Sequence, residues 1–201
     1  MRHWRGEYFQ TLKDVAAEAS ETQAWAEYAR FCAEYERGLR PQALSTLDCF
    51  ICNLERKPFI ERRNFVSWLL TKTHGMQGEH MAIPHPLRLR IIEPTLVEWT
   101  AEEPSCAEPH RWIGGYEHLK RALELDERDE IARRKLIVRL LRVGTHLLPQ
   151  KYVGDPRRDL QALLEAETLL NGLPNVNERR NWSAEIKEER LLIQQHLDKA
   201  K

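Results

Sequence analysis

Two cysteines three residues apart, in Cys49-Phe-Ile-Cys52, are the first residues of this chain whose types and spacing could do chemistry. A C-x-x-C pair can hold a metal through its thiolates or cycle as a redox dithiol. A structural zinc site needs four ligands, so this pair would need two more. His74, His80 and His85 follow in the chain, and the metal set to test is Cys49, Cys52, His74 and His80, with zinc as the ion. On a helix whose buried face is Leu44, Leu47, Ile51 and Leu54, both cysteines fall on the other side, near Ser45 and Arg56. The sequence has no second C-x-x-C and no H-x-x-x-H pair, so packing cysteines and no cofactor form the competing expectation. There is also no G-x-S-x-G, no P-loop and no G-x-G-x-x-G. Gly114–Gly115 could receive an anion at a helix start, and a simple turn accounts for it equally well. The expectation is a protein that is not an enzyme.

The elements that would carry these residues are helices. In the first 74 residues, Leu12, Val15, Ala16 and Ala19 recur at helical spacing. Ser20 and Gln23 fit a capping box for a second helix, with one long helix through Ser20 as the alternative. The second stripe is Trp25, Tyr28, Ala29, Cys32 and Tyr35, closed by Gly38. Phe31 lies off that stripe, either exposed as a partner contact or packed on another helix. Pro41 fits a helix first turn, and Lys57–Pro58 separates the third helix from a fourth carrying Phe59, Val66, Leu69, Leu70 and Thr73.

Residues 75–115 change texture. Pro84, Pro86, Pro94, Pro104 and Pro109 break any long element, and acids outnumber bases. Leu87, Leu89 and Ile91 alternate with Arg88 and Arg90, a pattern for a short strand, and PTLVEWTAEE suits a short helix. Trp99 and Trp112 imply that the segment is packed.

After residue 115 helices resume. Tyr116, Leu119, Ala122 and Leu123 form one face. Asp126 and Asp129 can cap a following helix rich in Leu and Ile from Leu136 to Leu141. Asp155–Pro156 opens a further helix closed by Gly172 and Pro174, and the last helix begins near Asn181 or Ser183. Ala122, Leu123, Leu125 and Asp126, within residues 122–133, resemble the helix-to-helix corner of a tetratricopeptide repeat, with Glu127 where that family often has proline. No second copy follows at the expected spacing; LLPQKYVGDP there reads as loop. The resemblance implies stacked helical hairpins and a peptide-binding groove, and it assigns no ligand-contacting residue.

These readings give an all-α protein: antiparallel helical hairpins, seven or eight helices in all, stacked into a compact array. Its parts are an N-terminal helical group (1–74), an irregular acidic Pro/Gly-rich segment (75–115) and a C-terminal helical group (116–201), expected to share one domain. The 31 basic and 31 acidic residues balance, so a nucleic-acid partner is not expected. MRHWRGEYFQ lacks the apolar core of a secretory signal and no apolar run approaches a membrane span, so a cytoplasmic protein with no membrane partner is expected. The leading function is an adaptor or small regulatory, immunity-type protein that binds another protein or peptide in a helical groove, with Phe31, Tyr116, Arg133 and Arg134 as contact candidates. The alternatives are a metal- or thiol-dependent protein and a homo-oligomer subunit.

Overall fold

The computed structural model describes residues 4–144, 147–148, 151–152 and 155–199. The fold is all-α, an array of packed helices, and the chain divides into two compact units, Met1–Pro104 and Ser105–Lys201. No described helix is long and apolar enough to cross a membrane.

In the first unit, α1 (Trp4–Ser20), α2 (Ala26–Glu36), α3 (Arg40–Glu55) and α4 (Phe59–Thr73) follow one another across short turns. The turns are those the sequence announces. Gly38 and Gly75 take the left-handed backbone that glycine adopts without a Cβ penalty. Pro41 sits in the first turn of α3, and Pro58 immediately precedes α4. The capping box at Ser20 does not form. The Ser20 hydroxyl donates to the Ala17 carbonyl and closes α1 instead, while Thr22 precedes a single 3₁₀ turn, Gln23–Trp25.

The core of this unit is aromatic. Tyr28 of α2 packs edge-on against Phe65 of α4 with ring centroids 5.1 Å apart, and Phe50 of α3 meets Phe65 at 4.9 Å. Edge-to-face rings place the positive rim of one on the negative face of the other. The Tyr28 hydroxyl donates to the Ala82 carbonyl at 2.7 Å, so the polar end of a fully buried side chain is satisfied. Leu44 is exposed, and the buried face of α3 is instead Ala43, Thr46, Leu47, Phe50, Ile51 and Leu54.

Residues 75–115 are mostly helical, not irregular. They form α5 (Glu79–Ala82), α6 (His85–Leu87), a π-helical turn (Arg88–Ile92), α7 (Glu93–Glu102) and α8 (Ala107–Ile113). The prolines that suggested breaks mark helix starts: Pro84 precedes α6, and Pro86 and Pro94 lie in the first turns of α6 and α7. The expected strand at Leu87–Ile91 is the π turn. Leu89 is exposed there while Leu87 and Ile91 are buried, so the apparent alternation does not mark a strand face.

The second unit contains α8, α9 (Tyr116–Leu125), α10 (Glu130–Gly144), α11 (Pro156–Leu170) and α12 (Val176–Lys199). Each helix packs on its neighbours in sequence. Leu136, Ile137, Leu140 and Leu141 of α10 are buried with Leu119 and Ala122 of α9, Leu163, Ala166 and Leu170 of α11, and Ile186 and Ile193 of α12. Caps set the starts. Asp129 Oδ1 accepts from Ala132 N at the head of α10, and the Asp155 side chain accepts from Arg157 N and Arg158 N at the head of α11. Asn175 Oδ1 accepts from Asn177 N and Glu178 N, which starts α12 about a turn and a half before the expected residues. Within the loop-like LLPQKYVGDP, the described residues β1 (Leu147–Leu148) and β2 (Lys151–Tyr152) pair antiparallel.

Candidate functional site

The cysteines and histidines singled out in the sequence do not converge. Cys49 and Cys52 ride on α3, His74 caps the C-terminus of α4, and His80 lies in α5. Among the described residues no group of three or more His, Cys, Asp or Glu side chains is arranged to hold a metal. Cys52 instead belongs to an exposed cluster around Arg90. The Arg90 guanidinium reaches both Glu55 carboxylate oxygens at 2.8 Å, Asp48 at 2.7 Å and the Cys52 sulfur at 3.4 Å. That contact holds the Glu55 carboxyl below its ordinary range and ties the π turn to α3.

The thiols differ by burial. Cys32 is buried, and desolvation of its thiolate pushes its pKa up to about 12. Cys49 is exposed, and Cys52 and Cys106 are half-buried. Because the thiolate is the nucleophile, a chromogenic disulfide reagent at pH 8 is expected to modify native Cys49 first. Cys52 and Cys106 should follow, and Cys32 should react only on denaturation. Four equivalent fast thiols would contradict the burial of Cys32.

The proposed contact residues separate in a similar way. Phe31 is fully buried, touching Tyr28 and Tyr35, and offers no surface. Its helix is packed on two sides, by α1 and by α3, so residues off the main stripe are covered as well. Arg133 lies against Gly172, where a Cβ would run into the guanidinium, and donates to the Glu127 carbonyl. It wedges the α9–α10 corner against the end of α11. Arg134 bridges Glu130 and Glu178, each at 2.9 Å, and links α10 to the head of α12. Tyr116 lines a cleft of about 370 Å³ together with Arg139, Leu140 and Arg158. Its hydroxyl donates to Glu165 at 2.8 Å, and that carboxylate raises its pKa by favouring the protonated phenol.

A histidine pair joins α8 to α9. His110 Nδ1 and His118 Nδ1 are 2.9 Å apart, so one ring must donate and the other accept. Desolvation first, then the charges of His118 and Arg121, lower the His110 pKa below its ordinary 6.5. In the pH range just below 6.5 the unfolded chain therefore binds the proton that the folded chain refuses. This contribution to stability is complete above pH 6.5 and is lost as pH falls toward the depressed value. Urea unfolding from pH 5 to 8 is expected to show that slope, and His110→Gln should flatten it. An unchanged slope in the variant would exclude the pair as its source.

A groove runs along α11 and α12, and the sequence reading overlooked it. It consists of two adjoining hollows of about 530 and 390 Å³ that share Lys187. Its apolar positions are open: Leu164 is 43% exposed, Val176 49% and Leu191 59%. The helix positions explain its charge. Ile186 and Ile193 form the buried stripe of α12. At about 100° per residue, Arg180, Lys187 and Arg190 fall on the flank of that stripe facing the groove, with Arg179 at its border. Glu178, Glu185, Glu188 and Glu189 fall on the opposite flank. Burial, with repulsion from Glu185 and Glu188, raises the pKa of the Glu189 carboxyl on that acidic side. Among the described residues Glu167 is the one carboxylate lining the groove, and it bonds Arg190 at 3.0 Å. Arg179, Arg180 and Lys187 make no ion pair among the described residues. A net-charge count conceals this segregation, because the two flanks of α12 cancel. No protein-family model, no curated protein and no solved structure matches this chain, and the groove is defined by its own geometry.

Proposed function

We propose that this protein is a non-enzymatic binding protein that holds a segment of another protein in the α11–α12 groove. The observation that carries the reading is the open apolar lining of that groove. Leu164 and Leu191 stand exposed across from each other on two helices whose opposite faces are buried in the core. Apolar side chains grouped in a concave site gain by being covered, whereas single exposed leucines on a convex surface signify little. The tetratricopeptide-like corner at residues 122–133 supports the same reading by architectural analogy alone. Tyr116, in its own cleft, is a secondary contact candidate.

The test is photo-crosslinking. A benzoylphenylalanine at Gln194, which lines the groove, is compared with one at the exposed Glu117 of α9 in native extract. The expected result is a discrete adduct with another protein from position 194 only, abolished by Leu164→Asp with Leu191→Asp. Adducts that survive those substitutions, or none from position 194, overturn the proposal.

A further inference from the structure

The groove's chemistry specifies its occupant more narrowly than "protein", and this step rests on the binding function just proposed. Three cations, Arg179, Arg180 and Lys187, line it without ion partners among the described residues, while its one carboxylate already bonds Arg190. Their charge remains available to an incoming group. The apolar contacts lie at the two ends, Val176 at one and Leu164 with Leu191 at the other. From Val176 to Leu191 is 15 residues of α12, or about 22 Å at 1.5 Å per residue. A helix lying in the groove would cover that span in about four turns. Its apolar side chains, recurring along one stripe, would reach both ends, and its flanks would meet the cations.

We infer that the occupant is an acidic amphipathic helix of a partner protein, about four turns long, with an apolar stripe seated between Val176 and Leu191 and carboxylates facing Arg179, Arg180 and Lys187. The acidic flank of α12 argues against a broad anionic surface as the occupant. A membrane face or a nucleic-acid duplex wide enough to pass over the whole helix would meet Glu185 and Glu188 as well as the cations. A single helix confined to the groove avoids them.

The experiment uses the full chain and two synthetic peptides of 18 residues, about the length of the groove when helical. Both carry leucine on one helical stripe. One has glutamate and the other lysine at every flanking position, and each is labelled for fluorescence anisotropy. The glutamate peptide is expected to bind at least about tenfold more tightly than the lysine peptide and to weaken with added salt. Arg180→Glu with Lys187→Glu should reverse the preference, and circular dichroism of that variant should be unchanged because both side chains are exposed. Equal binding, or preference for the lysine peptide, overturns the acidic occupant. So does binding to vesicles containing phosphatidylserine that the same charge reversal abolishes, or self-association abolished by Leu191→Asp. If neither peptide binds while position 194 still crosslinks to a protein, the acidic-helix inference fails and the binding function stands. If neither peptide binds and no crosslink forms, both fail.

Discussion

Tyr28→Ala is expected to remove about 3–5 kcal/mol of stability, the range for deleting a large buried aromatic. Tyr28 is fully buried and touches Phe31, Phe50, Phe65 and Trp68, so its loss leaves a void bordered by three helices, α2, α3 and α4. These rings are held by one another, and none can fill the space without giving up its own contacts. Tyr28→Phe separates the ring from the hydroxyl. It retains the packing and strands the Ala82 carbonyl, which should cost about 1–3 kcal/mol. The measurement is urea unfolding of the full chain, with hydrogen exchange to locate the loss within residues 4–104. A Tyr28→Ala loss below about 1 kcal/mol would mean that the aromatic cluster is not what holds this unit together.

Asp129→Ala should be comparably damaging to the second unit, by a different route. The Asp129 side chain is 1% exposed and has two partners. One carboxylate oxygen accepts from Ala132 N and caps α10, and the other meets Arg111 at 3.2 Å. Arg111 is itself largely buried, stacks over Trp112 and approaches Glu108. Removing the carboxylate uncaps a core helix and leaves a guanidinium with less charge around it than its burial requires. Breaking a buried pair from one side costs about 3–5 kcal/mol. Asp129→Asn keeps an oxygen for the cap and should lose less. Hydrogen exchange over residues 105–144 would locate the effect, expected first in the opening turns of α10. Equal losses for alanine and asparagine would assign the whole effect to the ion pair and none to the cap.

How much of this could be seen in the sequence depended on whether the signal was local. Asp155 and Asp129 identified helix starts because a cap is a contact between residues two or three apart, and Pro41 did so through its fixed φ. Asp126, also expected to cap α10, instead accepts from Arg128 N in the turn before it. Asn175 carries the same signal, but Asn181 and Ser183 are cap-type residues as well, and residue type alone does not rank the three; the side-chain bonds to Asn177 N and Glu178 N do. Phe31 failed because its helix is covered on two sides, a fact of tertiary packing that a single stripe cannot report. The groove was hidden in plain composition: the alternation of cationic and anionic flanks along α12 is present in residues 176–194, but it appears only when charges are placed around Ile186 and Ile193 rather than summed. The cysteines at 49 and 52 illustrate the converse. Their spacing is suggestive, and the partners nearby in sequence are carried to other helices.

The segment from Leu87 to Trp99 departs from helical spacing for a quantitative reason, and that reason sets where the chain tolerates a change of length. Its buried residues are Leu87, Ile91, Ile92, Thr95, Leu96 and Trp99. On an uninterrupted α-helix at about 100° per residue, Ile92, Leu96 and Trp99 would lie roughly 120–180° from Leu87. The π turn at Arg88–Ile92 accommodates one residue more than an α turn and returns them to the same side. Without one exposed residue of that turn, the same apolar positions would fall at spacings of three, four, seven, eight and eleven from Leu87, the signature of an ordinary amphipathic helix. The turn thus absorbs one extra residue without moving the packed face. Deleting Leu89 is therefore expected to keep the same packed face, whereas deleting Val97 is expected to turn Trp99 out of the core.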